Sequence, residues 1–132
     1  MQWIDTLDHC SDTTAIATAC FGEGHAAVAD GAVVDLALVE CVAQTVAAAR
    51  GHRVGQSPTP EAVVPDGAPV AARGGGMLAA ITNFRIQSRP AVGTPFQIEA
   101  RELKRFGPML LVSGTILSGG QVIASGELTL YV

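Results

Sequence analysis

Polar and apolar positions alternate along the last third of the chain. In "TPFQIEARELKR", Phe96, Ile98 and Ala100 fall on one side and Gln97, Glu99 and Arg101 on the other, and in "GELTLYV" Gly126, Leu128 and Leu130 oppose Glu127, Thr129 and Tyr131. A period of two marks half-buried antiparallel strands. The turn signals "SRPAVG", "RFGP" and "SGG" divide this region into four segments near 77–87, 94–105, 109–118 and 121–131, expected to follow one another as a four-strand meander. Near the N-terminus, "WIDTL" and "TTAIATACF" are β-prone and are joined by the polar "DHCSD", which predicts two more antiparallel strands. "AAVADGAVV" then runs irregularly.

One stretch has neither alternation nor a polar face. In "DLALVECVAQTVAAARG", residues 35–51, Glu40 is the only charge between Asp35 and Arg50. Asp35 suits an N-cap or first-turn position and Gly51 a C′ position, so the segment predicts a helix. It would be roughly 24 Å long at about 1.5 Å per residue. A helix this apolar all round belongs inside the domain. Residues 51–76 carry six Gly and four Pro with no sustained period, predicting a long, poorly ordered loop with one helical turn near Glu61.

At 132 residues the chain is one domain, 1–132, and with 48% apolar and 15% charged residues it should pack a core. One enclosed helix and about six antiparallel strands predict an α+β domain whose curved sheet wraps around the helix. The net charge of −4 and eight scattered Lys and Arg residues argue against a nucleic-acid partner. "RELKR", the densest basic stretch, reads as a solvated strand face. No apolar run reaches the roughly 18 residues of a membrane span, and "MQWIDTLDHC" has no basic region followed by an apolar core, so a cytoplasmic protein without membrane partners is expected. Three cysteines, Cys10, Cys20 and Cys41, form no close pair and suit reduced thiols. No metal-ligand spacing or phosphate-cradling loop occurs, and no cofactor is expected.

"ECVAQ" at 40–44 matches the E-x-x-A-Q signature of β-hydroxyacyl-[acyl carrier protein] dehydratases of the hotdog superfamily. The resemblance extends upstream through "HAAVADGAVVDLALVE". Downstream, "GGGMLAAITNFRIQSRPAVGTPFQIEA" and "GGQVIASGELTLYV" resemble the aryl-polyene-type branch. His25 precedes Glu40 by fifteen residues where typical dehydratases have fourteen, Asp35 stands where the fatty-acid branch has Gly, and the N-terminal segment is shortened to "MQWIDTL".

The resemblance implies a hotdog fold and dehydration of a 3-hydroxyacyl thioester in fatty-acid or polyene-type chain synthesis. The acyl group would be carried by acyl carrier protein or coenzyme A. In that reading His25 is the base that takes the C2 proton. Glu40 is the acid, since burial in an apolar helix disfavours its charged form and leaves a proton for the departing hydroxyl. Gln44, one turn on, orients Glu40. The backbone N–H groups of Asp35 and Leu36 serve the thioester oxygen. A homodimer or higher oligomer is implied, paired through the strand that "GGGML" opens, with His25 of one chain near Glu40 of the other and residues 55–75 over the acyl access. Two other readings stay open: a hotdog thioesterase in which Glu40 activates water, and a non-catalytic acyl-binding subunit. Apart from function, Glu40 could be a buried ion-pair partner of Arg85 or Arg89.

Overall fold

The alternating segments form strands close to their expected bounds in the structure, a computed structural model that describes residues 3–55 and 77–131. In chain order the elements are β1 (Thr6–Cys10), β2 (Thr14–Ala19), β3 (Val28–Ala29), β4 (Ala32–Val33), α1 (Asp35–Gly55), β5 (Met77–Ile86), β6 (Phe96–Phe106), β7 (Met109–Ser118) and β8 (Gln121–Tyr131). Six of the strands make one antiparallel sheet in the order β1-β2-β6-β7-β8-β5. β3 and β4 form a separate two-residue hairpin.

Period-two patterning works because one sheet face meets the helix. Phe96, Ile98 and Ala100 of β6, Leu110, Val112 and Ile116 of β7, and Leu128 and Leu130 of β8 are all buried. Each fully buried large aliphatic side chain contributes about 1.5–3 kcal/mol relative to exposure. α1 lies across this face, against β1, β2, β5, β6 and β7. Its close approach depends on Gly114 in β7: a Cβ placed there would come within 2.6 Å of Val42 Cγ1. The sequence around "RELKR" behaves as a solvated face, with Arg101, Lys104 and Arg105 exposed and Glu102 3.8 Å from Arg50.

Several expectations are corrected. The last four strands are not a simple meander, because β5 pairs with β8 at the far edge while β6 pairs with β2 and β7. The tight turns after β6 and β7 do form hairpins. The connection from β5 to β6, residues 87–95, is too long to force one. The helix does not stop at Gly51 but continues to Gly55. A Gly ends a helix when it turns left-handed, and Gly51 is not among the residues of positive φ. β1 runs through His9 and Cys10, so the turn is Ser11–Thr13, where the Ser11 hydroxyl accepts from Thr14 N–H at 3.1 Å.

The irregular "AAVADGAVV" is ordered by Asp30 and Gly31, with φ of 54° and 75°, the two-residue primed turn that Asp-Gly favours in a hairpin. The loop expected at 55–75, its helical turn near Glu61 and its placement over the acyl access lie outside the described residues beyond Gly55. Among the described residues no helix is long and apolar enough to cross a membrane.

Candidate active site

Among the described residues, α1 is buried on one side only. Ala37, Leu38, Cys41, Val42, Thr45, Val46 and Ala49 are buried against the sheet, whereas Glu40, Ala43, Gln44, Ala47 and Ala48 are half-buried along the other side. Glu40 is thus on an accessible face, not in the core. Gln44, one turn on, donates from Nε2 to Glu40 Oε1 at 3.3 Å, the orienting contact expected of it. The Gln44 oxygen in turn accepts the main-chain N–H of Trp3 at 2.6 Å.

Trp3 links Gln44 to the aromatic cluster around His25. Its ring lies edge-on to Phe21, with centroids 6.0 Å apart, and edge-on to His25 at 6.1 Å. Phe21 lies against His25 at 4.6 Å and packs edge-on against Phe96 at 5.6 Å. The indole Nε1 is buried with no hydrogen-bond partner among the described residues. Nothing local announced this role, because the contact to Gln44 spans 41 positions.

His25 is held by its own turn. Its N–H donates to Gly22 O at 3.1 Å, its carbonyl accepts from Val28 N–H at 2.9 Å, and its ring Nδ1 accepts from Ala27 N–H at 2.9 Å. Glu40, Gln44, Trp3 and His25 therefore form a connected series within one chain: carboxylate, amide, main-chain N–H and indole, imidazole.

Asp35 and Leu36 begin α1, so their N–H groups have no carbonyl four residues earlier within the helix. Both side chains are exposed, Leu36 at 65%. The Asp35 carboxylate accepts from Arg89 Nε at 2.6 Å, and this bond lowers its pKa below the ordinary carboxylate value. Arg89 thereby offsets a negative charge that would otherwise oppose an anion at the helix start. The two flank an open cleft of about 330 Å³ that Ala32, Ile86, Gln87 and Ser88 complete. Arg89 bonds Asp35 and Arg50 lies by Glu102.

No family model matches the chain, and no curated protein sequence matches it. Solved structures do. The dehydratase heterocomplex ApeI:P from Xenorhabdus doucetiae superposes with a TM-score of 0.80 at 17% identity, over 98% of this chain and 82% of that one. Thioesterase superfamily member 2 from Mus musculus gives 0.66 at 17% identity over 96% and 80%. The zebrafish thioesterase superfamily member 2 gives 0.65 at 16% over 96% and 80%. These neighbours are hotdog-fold proteins, and one helix across a six-stranded antiparallel sheet gives this chain the same fold.

Proposed function

We propose that the chain is a 3-hydroxyacyl-thioester dehydratase whose substrate is carried by acyl carrier protein or coenzyme A. The observation that supports this best is that each of the two residues is held in a set orientation within the chain, Glu40 by Gln44 and through it the Trp3 main chain, His25 by Ala27 N–H and the rings of Trp3 and Phe21. Elimination of water needs a group that moves a proton and a donor for the charge that gathers on the thioester oxygen. Glu40 and His25 are the residues of the right chemistry, Gln44 positions Glu40, and the N–H groups of Asp35 and Leu36 serve the thioester oxygen beside the Arg89 cleft. The dehydratase named among the structural neighbours adds support for this reaction class.

The active form in this reading is a homodimer with the site at its interface, His25 of one protomer facing Glu40 of its partner. The two sheet edges support it by their difference. β1 is five residues long, bulged between Leu7 and His9, and carries Asp8, which accepts from the hydroxyls of Thr6 and Thr18. β5 is ten residues long and exposes Ala79, Ala80 and Ile81. β5 has register shifts between Leu78 and Ala80 and between Thr82 and Arg85, so its length and the exposed apolar run Ala79–Ile81 are what favour it over β1 as the pairing edge. The half-buried Ala43, Ala47 and Ala48 offer a second surface for the same partner.

A thioesterase in which Glu40 activates water is the second reading, favoured by the thioesterase superfamily members among the neighbours. Incubation with a 3-hydroxyacyl and an enoyl thioester separates the two. A dehydratase interconverts them, a thioesterase releases free thiol, and an acyl-binding subunit does neither. Glu40→Gln should lower dehydration by about 10² or more and leave the melting temperature unchanged. Lost stability with unchanged chemistry would make Glu40 a structural residue.

A further inference from the structure

Two main-chain N–H groups fix the polarity of the site. A backbone amide N–H can only donate. Ala27 N–H donates to His25 Nδ1 at 2.9 Å, so Nδ1 presents its lone pair and the ring's proton sits on Nε2. Turning the ring over would set a carbon against Ala27 N–H, and Phe21 and Trp3 hold the ring from two sides. Trp3 N–H donates to Gln44 Oε1, which directs the Gln44 NH₂ group to Glu40 Oε1. Glu40 is thereby addressed as an acceptor by a donor that cannot reverse without losing Trp3.

We propose that His25 is a fixed hydrogen-bond donor through Nε2–H and that Glu40, as carboxylate, carries the proton through the whole elimination. The inference rests on the dehydratase reading and exchanges the roles that the resemblance implies for the two residues. A Glu40 oxygen takes the C2 proton. The C2–H electron pair becomes the C2=C3 bond as the C3–O bond breaks. The departing oxygen then takes the same proton from Glu40, which leaves water, the enoyl thioester and the carboxylate restored. His25 keeps its proton, since an imidazole that loses Nε2–H while Nδ1 stays bare becomes an anion. It donates a hydrogen bond to the thioester oxygen and stabilises the charge that gathers there.

The first test needs no turnover. Long-range ¹H–¹⁵N correlation on protein labelled at histidine, with the His25 signals assigned by their loss in His25→Gln, should show Nε2 protonated and Nδ1 bare. The opposite tautomer overturns the inference whatever the activity. The second test uses the Gln side chain, whose NH₂ reaches the place of Nε2–H but cannot act as a base. His25→Gln should keep activity within about 10-fold of the wild type while His25→Ala falls by about 10². Equal losses in the two variants, with an active wild type, overturn the donor role. A wild-type protein that interconverts neither thioester removes the dehydratase reading and the elimination with it.

Discussion

The two faces of α1 come from one uniformly apolar stretch and end in opposite surroundings. Leu38, Cys41, Val42 and Thr45 have no measurable exposure, and even the Thr45 hydroxyl is turned inward to donate to Cys41 O at 2.7 Å. One-third of a turn away, Glu40, Ala43, Gln44 and Ala47 stay half-open. The buried face answers to packing, and in the proposed reading the open face answers to chemistry and association. A substitution should disturb one property and spare the other.

The largest effect on stability is expected from Leu38→Ala, which should cost about 2–5 kcal/mol by the loss of transfer energy and the cavity left behind. Chemical denaturation measures it, and a cost below about 1 kcal/mol would mean that the sheet does not press on this face. Gly114→Ala should cost about 1–3 kcal/mol, because Val42 must move to admit the methyl group. The replacement should lower the melting temperature and leave turnover per folded molecule intact.

Cys41 reports the same face by pH. Burial pushes its thiol from an ordinary 9.0 up to about 12, with the charges of Glu40 and Asp5 adding to the shift. Between these values the unfolded chain loses a proton that the folded chain keeps. Stability is thus intact below about pH 9 and falls as pH rises toward the folded value, by about 1–2 kcal/mol at pH 10. Comparison with Cys41→Ala over that range checks it: the variant should lack this decline. In the native protein at neutral pH, Cys41 should also be the slowest of the three thiols to alkylate, given that Cys10 and Cys20 are only half-buried.

The smallest effect on stability belongs to the open face. Ala47→Arg should change the unfolding free energy of the monomer by no more than about 0.5 kcal/mol. It should nevertheless shift sedimentation of the proposed dimer toward the 13.5 kDa species. A dimer untouched by an arginine at that position would place the interface elsewhere.

The fold was legible where a local pattern has one physical cause. Strict alternation at Phe96–Arg101 and Gly126–Tyr131 requires a sheet with one buried face, and an uncharged run from Leu36 to Val39 and from Cys41 to Ala49 requires a helix against it. "ECVAQ" likewise puts Glu40 and Gln44 on one helical face, and they meet there. The Asp30–Gly31 dipeptide signals a hairpin turn, but its strands are only two residues long and too short to show alternation.

What the sequence by itself determined is therefore everything set by neighbours within about four residues: strands, helix, their bounds to a few positions and the carboxylate–amide pair. Tertiary structure decided the rest. β5 pairs with β8 because both sides of β6 are occupied by β2 and β7, a fact of the whole sheet and not of any turn. Arg89 lies 54 positions from Asp35, and Trp3 lies 41 from Gln44. Their contacts follow from how far-apart segments meet, on which local periodicity carries no information. The His25 tautomer, too, waits on a turn that only the folded chain closes.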